Sequence, residues 1–400
     1  MNRIYLDNAA TTTMSSEVLN EMMPYMTSIY GNSSSLHSFG RDALSALDVA
    51  RERIALGLGC DSDEIYFTSG ATESNNWAIR GIAKANRDKG NHIITSKIEH
   101  PSVLRVCERL ESEGFRVTYL DVDCDGFVRI DHLLHEINTD TILISIMTAN
   151  NEIGTIQNIQ AIANIAKEKG VIFHTDATQA VGAVNINVHD MGIDLLSLSG
   201  HKLNGPKGVG ALYIRKGIAI SPILLGGEQE NNLRAGTTNI PAIVGLGKAV
   251  ELVTRDIVTN TKSMRRLRDY FISEVQSKLD CVYLNGHQIQ RLPNNINLSF
   301  GMVEGESIMM LLDMAGIAVS NGSACSAGSV EKSHVLTALG LPLDLVQGAV
   351  RFTLSKATTR EEIDTVVDEL VKIVTKLRQI SPMTKSQVGK GGNSKCTIKK

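Results

Sequence analysis

Lys202 follows directly on an apolar strand-like run, in Ser199-Gly200-His201-Lys202, with IDLLSLS before it and the glycine-rich NGPKGVGALY after it. A lysine at a strand end can sit desolvated in a cleft, which lowers its pKa, and the neutral amine can then attack an aldehyde. Ser199 and His201 beside it could donate to a phosphate. The competing reading is a solvated loop lysine. A second cluster is HTDATQA at 174–180, where Asp176 stands just past the apolar run VIF. The carboxyl edge of an α/β sheet is where ligands collect. A carboxylate there can keep a ring nitrogen protonated and so make the ring an electron sink. Gln179, three residues on, could reach a ring hydroxyl, while a helix N-cap is the alternative role for Asp176.

Other segments carry the same signature of polar residues at strand ends. In FTSGATESNN (67–76), Gly70 frees a turn, and Ala71 and Thr72 open a helix whose unpaired N–H groups and dipole favour a phosphate. Capping by Thr72 is the plain alternative. His100, in Ile98-Glu99-His100-Pro101, could lie flat on a ring or move protons, or be a satisfied structural histidine. TANNEIG (148–154) offers the amides of Asn150 and Asn151 to a carboxylate or phenolate, or makes a turn. Cys325 stands in a run, 320–329, with no side chain larger than asparagine. That run reads as a mobile surface loop presenting a thiol nucleophile, with an incidental loop cysteine as the alternative. Taken in order, the chain supplies a phosphate turn, a histidine, an asparagine, an aspartate with a glutamine, a lysine, a loop cysteine and a strand arginine, Arg351. That set asks for one cofactor with a phosphate, a ring nitrogen and an aldehyde.

The elements that must position these residues alternate. EIYFT, HIITSK, RVTYLDV, TILISIMTA, VIFHTDA, IDLLSLS and VGALYIR read as strands, several separated by helices of 10–15 residues. This predicts an α/β fold: a large doubly wound domain with a mostly parallel sheet, from 15 to 256, plus a smaller α+β domain. The smaller domain comprises 1–14 with 257–380. It has a helix beginning near Thr261, strands CVYLN, NINLSF and VRFTLSK, and a last helix opened by a Thr359/Glu362 capping box. Val350, Phe352 and Leu354 fall on one face of VRFTLSK, and Arg351, Thr353 and Ser355 on the other. Residues 381–400, with five lysines and no acid, read as a disordered basic tail.

Composition limits the function. Of 400 residues 42% are hydrophobic, enough for a sizeable core, and a net charge of −3 excludes nucleic-acid binding by bulk charge. The six cysteines (60, 107, 124, 281, 325, 396) include no C-x-x-C pair, which argues against a structural zinc site. Cys107 and Cys281 read as core, and Cys60, Cys124 and Cys396 as incidental. His132 and His135, at i and i+3, have metal-ligand spacing but no third ligand nearby, so a solvated helix face is expected. The start, MNRIYLDNAA, shows no signal peptide, and no run approaches membrane-spanning length, so thiols in the cytoplasm are expected.

With these motifs in view, the sequence resembles the cysteine desulfurases of the class V, pyridoxal-phosphate-dependent aminotransferase-like family. It is most similar to the group I members that serve iron–sulfur cluster and nitrogenase assembly. The resemblance rests on YLDNAATT, YGNSSSLHSFG, ANNEIG, FHTDATQA, SGHKLNGPKGVG and GSACS, and runs nearly the whole chain. It implies a fold-type I transferase in which Lys202 carries the cofactor's aldehyde. Asp176 would pair with the ring nitrogen and Gln179 with the phenolic oxygen. His100 would stack on the ring as an acid–base group. Ala71, Thr72, Ser199 and His201 would grip the phosphate, with Thr237 reaching the neighbouring subunit of a homodimer. Asn151 and Arg351 would bind the carboxylate of L-cysteine. Cys325 would take the sulfur as a persulfide and release alanine, and would also be a transient iron–sulfur ligand. The sulfur acceptor would be an iron–sulfur cluster scaffold protein. A selenocysteine lyase or aminotransferase on the same scaffold is the alternative enzyme, and a non-catalytic assembly scaffold the alternative class. The pattern departs at Gly226-Gly227-Glu228-Gln229-Glu230-Asn231-Asn232, where a basic residue is lost and an acid gained, and at Asn321, where serine is usual.

Overall fold

The structure, a computed structural model, describes residues 3–321, 332–383, 385 and 388. Short apolar runs pair into a seven-stranded sheet of order β2-β8-β7-β6-β5-β3-β4. The strands are β2 (Ile65–Thr68), β3 (His92–Ser96), β4 (Arg116–Leu120), β5 (Thr141–Ser145), β6 (Ile172–Asp176), β7 (Leu195–Ser199) and β8 (Gly210–Ile214). β3 to β7 run parallel, and β8 is antiparallel to both of its neighbours. β3, β5, β7 and β8 are buried along their whole length, as a sheet covered on both faces requires. One face packs under α1 (Ser16–Thr27), α2 (Ser38–Leu58), α6 (Ile159–Lys169) and α7 (Ile240–Arg255). The other lies under α3 (Ala71–Ala85) and α4 (Pro101–Ser112), with Trp77 wholly buried between helix and sheet. α5 (Ile130–Glu136) packs beside β4.

A second core forms around an antiparallel sheet of order β12-β10-β9, made of β9 (Val282–Leu284), β10 (Asn295–Phe300) and β12 (Ala349–Thr353). It packs against α8 (Ile257–Lys278), α9 (Gly305–Met314) and α12 (Arg360–Ile380). α12 opens with the Thr359/Glu362 capping box. α10 (His334–Ala338) and α11 (Leu343–Gln347) complete the set. The chain's start joins it: β1 (Ile4–Tyr5) pairs in parallel with β11 (Ile317–Ala318), and Asp7 bridges to Thr353.

The structure differs from the sequence reading in two places, the start of α8 and Cys281. α8 begins at Ile257 rather than near Thr261, because its first turns bury nothing and so leave no apolar stripe to read. Cys281 is not core: it is half-buried, with a φ of 48° just before β9. Both faces of β12 are buried, since the polar face carrying Arg351 and Thr353 is covered by the N-terminal segment. Of the tail, 384, 386–387 and 389–400 lie outside the described residues, while Lys385 pairs with Asp280.

Candidate active site

The parallel strands deliver their carboxyl ends to one edge, and the polar residues that follow them line a single cavity of about 550 Å³. β2 leads to the Gly70 turn, β3 to His100, β5 to Asn151, β6 ends on Asp176, and β7 ends on Ser199 just before Lys202. Ala71, Thr72, His100, Asn151, Asp176, Gln179, Ser199, His201, Lys202 and Arg351 all open into this cavity.

At the Gly70 turn, α3 starts without a side-chain cap, and Gly70 has a φ of 151°. Thr72 therefore does not cap the helix, and the first-turn N–H groups face the cavity end as an anion site would need. Glu73 lies beside them. Its carboxylate accepts from Ser69 N at 2.7 Å and from Arg234 Nε and Nη2 at 2.8 and 3.1 Å. Burial pushes the Glu73 carboxyl up, but these donors outweigh it and hold it below the usual range. His201 Nδ1 lies 3.2 Å from Thr11 Oγ1. Burial, with the nearby Lys202 and Lys207, pushes the His201 ring down to about 4, so it stays neutral.

The buried carboxylate of Asp176 is 6% exposed. Its Oδ2 accepts from Asn75 Nδ2 at 2.7 Å and its Oδ1 from Thr178 N at 2.9 Å. His100 is the N-cap of α4, its Nδ1 accepting the Ser102 N–H at 3.1 Å, with Pro101 in the first turn where a missing N–H costs nothing. Burial, opposed by Asp176 and aided by Lys202, holds the His100 ring below its ordinary pKa. Beneath it the wholly buried Glu99 accepts from Ser96 Oγ at 2.6 Å and from Met147 N at 3.0 and 3.1 Å. Burial pushes its carboxyl up to about 8.

The N-terminal segment forms the remaining wall. Lys202 Nζ donates to the carbonyls of Ala9 and Ala10 at 2.5 and 2.7 Å, and Gln179 Nε2 donates to Ala9 O at 3.0 Å. Arg351, 2% exposed, donates from Nη2 to Asp7 Oδ1 at 2.9 Å and from Nη1 to Asn151 O at 3.0 Å. Asn151 is therefore tied to Arg351 through its backbone, leaving its amide for the cavity it lines.

One sequence-derived site residue, Thr237, is not in this cavity. Thr237 is exposed and lines a separate cavity of about 190 Å³ beside Glu230 and Arg234. Cys325 lies outside the described residues, as does Cys396. His132 pairs with Glu136 at 3.5 Å, and no group of three or more His, Cys, Asp or Glu among the described residues is placed to hold a metal. No helix among them is long and apolar enough to cross a membrane. The sequence reading gave no role to Asp7, Ala9, Ala10, Asn75, Glu99 or Ser102. The motifs YLDNAATT and FTSGATESNN and the Ile98-Glu99-His100-Pro101 turn pointed near them.

Comparison with known proteins gives the family. Residues 4–366 match the family described as aminotransferase class-V. The cysteine desulfurase IscS of Dictyoglomus turgidum is 55% identical, with 95% of this chain and 96% of that protein aligned. The cysteine desulfurase IscS of Methanosarcina thermophila is 54% identical, over 95% and 94%. Among solved structures, a NifS-like protein superposes with a TM-score of 0.89 at 38% identity, covering 94% of this chain and all of that one. The chain thus belongs to the class-V aminotransferase family, and within it to the cysteine desulfurases.

Proposed function

We propose that this chain is a pyridoxal-phosphate-dependent cysteine desulfurase. It takes sulfur from L-cysteine, releases L-alanine, and holds the sulfur as a persulfide on Cys325 for an iron–sulfur cluster scaffold protein. One observation carries the reading: an amine, a ring-nitrogen carboxylate, a histidine, phosphate-type donors and a buried arginine all open into one cavity. The similarity to SspA, solved in complex with cysteine at 38% identity and a TM-score of 0.80, supports the choice of substrate.

The residues suit the cofactor by their donor chemistry. The uncapped start of α3, Thr72, Ser199 and the neutral His201 would take the phosphate. Thr237 would serve the phosphate of a second copy in a homodimer. Asp176 would face the ring nitrogen and Gln179 the ring oxygen. Among the described residues Thr178 Oγ1, buried in the cavity wall, finds no partner, as expected of a wall built against a polar ligand. When bound, the cofactor supplies an aldehyde that captures amines and a protonated ring that withdraws electrons from the bonds around an amino acid's α-carbon.

The chain's own residues do the rest. Lys202 offers its amine to the aldehyde, and the Ala9 and Ala10 carbonyls aim that amine. Asp176, held by two donors, keeps a proton on the ring nitrogen. Arg351 is pre-oriented by Asp7 and Asn151 O, so its fork meets the substrate carboxylate without paying further ordering entropy. Cys325 is the soft nucleophile to which sulfur passes. By the same reading residues 15–256 form the cofactor domain, and 1–14 with 257–380 the domain bearing the cysteine segment.

The test uses the purified chain with L-cysteine, measuring sulfide, alanine and the absorbance of bound cofactor. Cys325→Ser is expected to keep the absorbance and lose sulfide release. Lys202→Ala is expected to lose the cofactor fixed by borohydride reduction. Unchanged sulfide release by Cys325→Ser, or rapid amino transfer to a keto acid in its place, overturns the reading.

A further inference from the structure

Asn75 sits on the covered face of α3 and is wholly buried. A carboxylate can only accept, so the amide nitrogen of Asn75 faces Asp176, and Nδ2 donates to Asp176 Oδ2 at 2.7 Å. The second hydrogen of the same nitrogen goes to Ser102 Oγ at 2.8 Å. Ser102 Oγ in turn lies 2.8 Å from His100 Nδ1, which also accepts the Ser102 backbone N–H at 3.1 Å. A ring nitrogen that accepts a backbone N–H bears a lone pair, so the serine hydroxyl points its hydrogen at Nδ1 as well. Every hydrogen in the chain from Asn75 to His100 then has one direction.

The arrangement has a visible cost. Asn75 Oδ1 is buried and finds no partner among the described residues. Turning the amide over would set that oxygen against the Asp176 carboxylate and remove both donated bonds. The orphaned carbonyl marks an orientation chosen for Asp176 and Ser102, not for the stability of α3.

We propose that Asn75 and Ser102 are positioning residues that lock His100 as the neutral imidazole with its proton on Nε2, while the same Asn75 amide fixes Asp176. His100 then offers a hydrogen-bond donor at Nε2. A second proton could enter only at Nδ1, against two donors. Among the described residues the charged and titratable groups around the ring are Asp176 at the end of β6, Lys202 after β7 and His334 on α10; of these Asp176 alone favours a charged ring. What His100 and Asp176 serve rests on the proposed function; the direction of the hydrogen bonds does not.

The experiment is long-range ¹H–¹⁵N correlation of histidine side chains in the full-length, ¹⁵N-histidine-labelled chain, with His100→Gln assigning the signal. At pH 7 the wild type is expected to show a neutral ring protonated on Nε2. Ser102→Ala should admit the other tautomer and raise the His100 midpoint by about 0.5–1 pH unit, the effect of one lost hydrogen bond. Ser102→Thr, which keeps the hydroxyl, should restore the wild-type pattern. Asn75→Ala, with Ser102 intact but no longer oriented, should move the midpoint the same way by less. A wild-type ring protonated on Nδ1, or Ser102→Ala and Asn75→Ala spectra indistinguishable from wild type, overturns the proposal. If the desulfurase reading fails, the sulfide assay shows it, and these spectra stand unchanged.

Discussion

Glu99→Gln should flatten the pH dependence of stability. Glu99 closes the turn after β3, one residue before His100, and no water reaches it. Burial pushes its carboxyl from 4.5 up to about 8, with the charge of Asp176 adding, although Ser96 Oγ and Met147 N donate to it. The folded pKa therefore lies above the unfolded one. Between those values the folded chain holds a proton that the unfolded chain has released, so stability falls as pH rises through that window. From pH 5.5 to 8.0 the unfolded glutamate is almost wholly ionised throughout, while the folded one reaches half-ionisation only at the upper limit. Integrating the difference gives about 3 kcal/mol of stability lost across that range. Glutamine has nearly the same shape and no proton to lose.

The assay is urea unfolding of wild type and Glu99→Gln at pH 5.5 and 8.0. The other buried titratable groups, such as Glu152 and His174, are common to both chains and cancel in the double difference. Wild type should weaken relative to the variant by about 3 kcal/mol. Two parallel pH profiles would refute the argument, because they would mean that Glu99 stays ionised on its two donors, Ser96 Oγ and Met147 N.

Three other outcomes are expected. Asp7→Ala removes the carboxylate that orients the buried Arg351, so KM for L-cysteine should rise roughly tenfold, with Asp7→Asn milder; an unchanged KM would show that Asn151 O suffices. Ser333→Ala removes both the donor to buried Glu152 Oε2, at 2.5 Å, and the cap on Leu336 N, at 3.1 Å. It should cost about 2–3 kcal/mol in chemical unfolding, and a loss below 1 kcal/mol would mean that Glu152 is satisfied elsewhere. Burial pushes the Cys60 thiol up to about 12 and that of Cys107 higher, so peptide mass mapping should find both unmodified after native alkylation at neutral pH and modified in urea.

Much of the fold is legible because period and punctuation are local. Four- and five-residue apolar runs, several of them followed by a helical pattern, place β2 to β8, and polar residues at or soon after the ends of β2, β3, β5, β6 and β7 reach the cavity. The rest of the site depends on partners far away in the chain. Asn75 and Asp176 are 101 residues apart, and Ala9 and Lys202 are 193 apart. A lone asparagine in a helical stretch reads as surface until the sheet beneath it is known. The Ala9 and Ala10 carbonyls carry no side-chain signal at all. Glu99 beside a histidine reads as a turn residue, and only the packing of Met147 over it shows a buried acid. Arg351 fell on the polar face of an alternating strand, and the N-terminal segment that covers that face is the one that orients it.

The departures at 228–232 leave the contacts that brace the cavity in place. Glu230, Asn231 and Asn232 all have left-handed φ, at 47°, 56° and 65°. Such a run costs on the order of 1 kcal/mol or more per residue, though less for asparagine, whose short polar side chain tolerates the region. Something must hold it there, and Glu230 does: it takes Arg51 Nη1 and Nη2 at 3.0 and 2.8 Å and Phe67 N at 3.0 Å. Phe67 leads straight into the Gly70 turn, and Arg234, four residues on, grips Glu73 on the first turn of α3. The segment therefore braces the Gly70 end of the cavity through Glu230 and Arg234. The altered residues Glu228, Asn231 and Asn232 are exposed and make neither contact. Their change of charge falls on the exposed surface, near the cavity that Glu230 and Thr237 line.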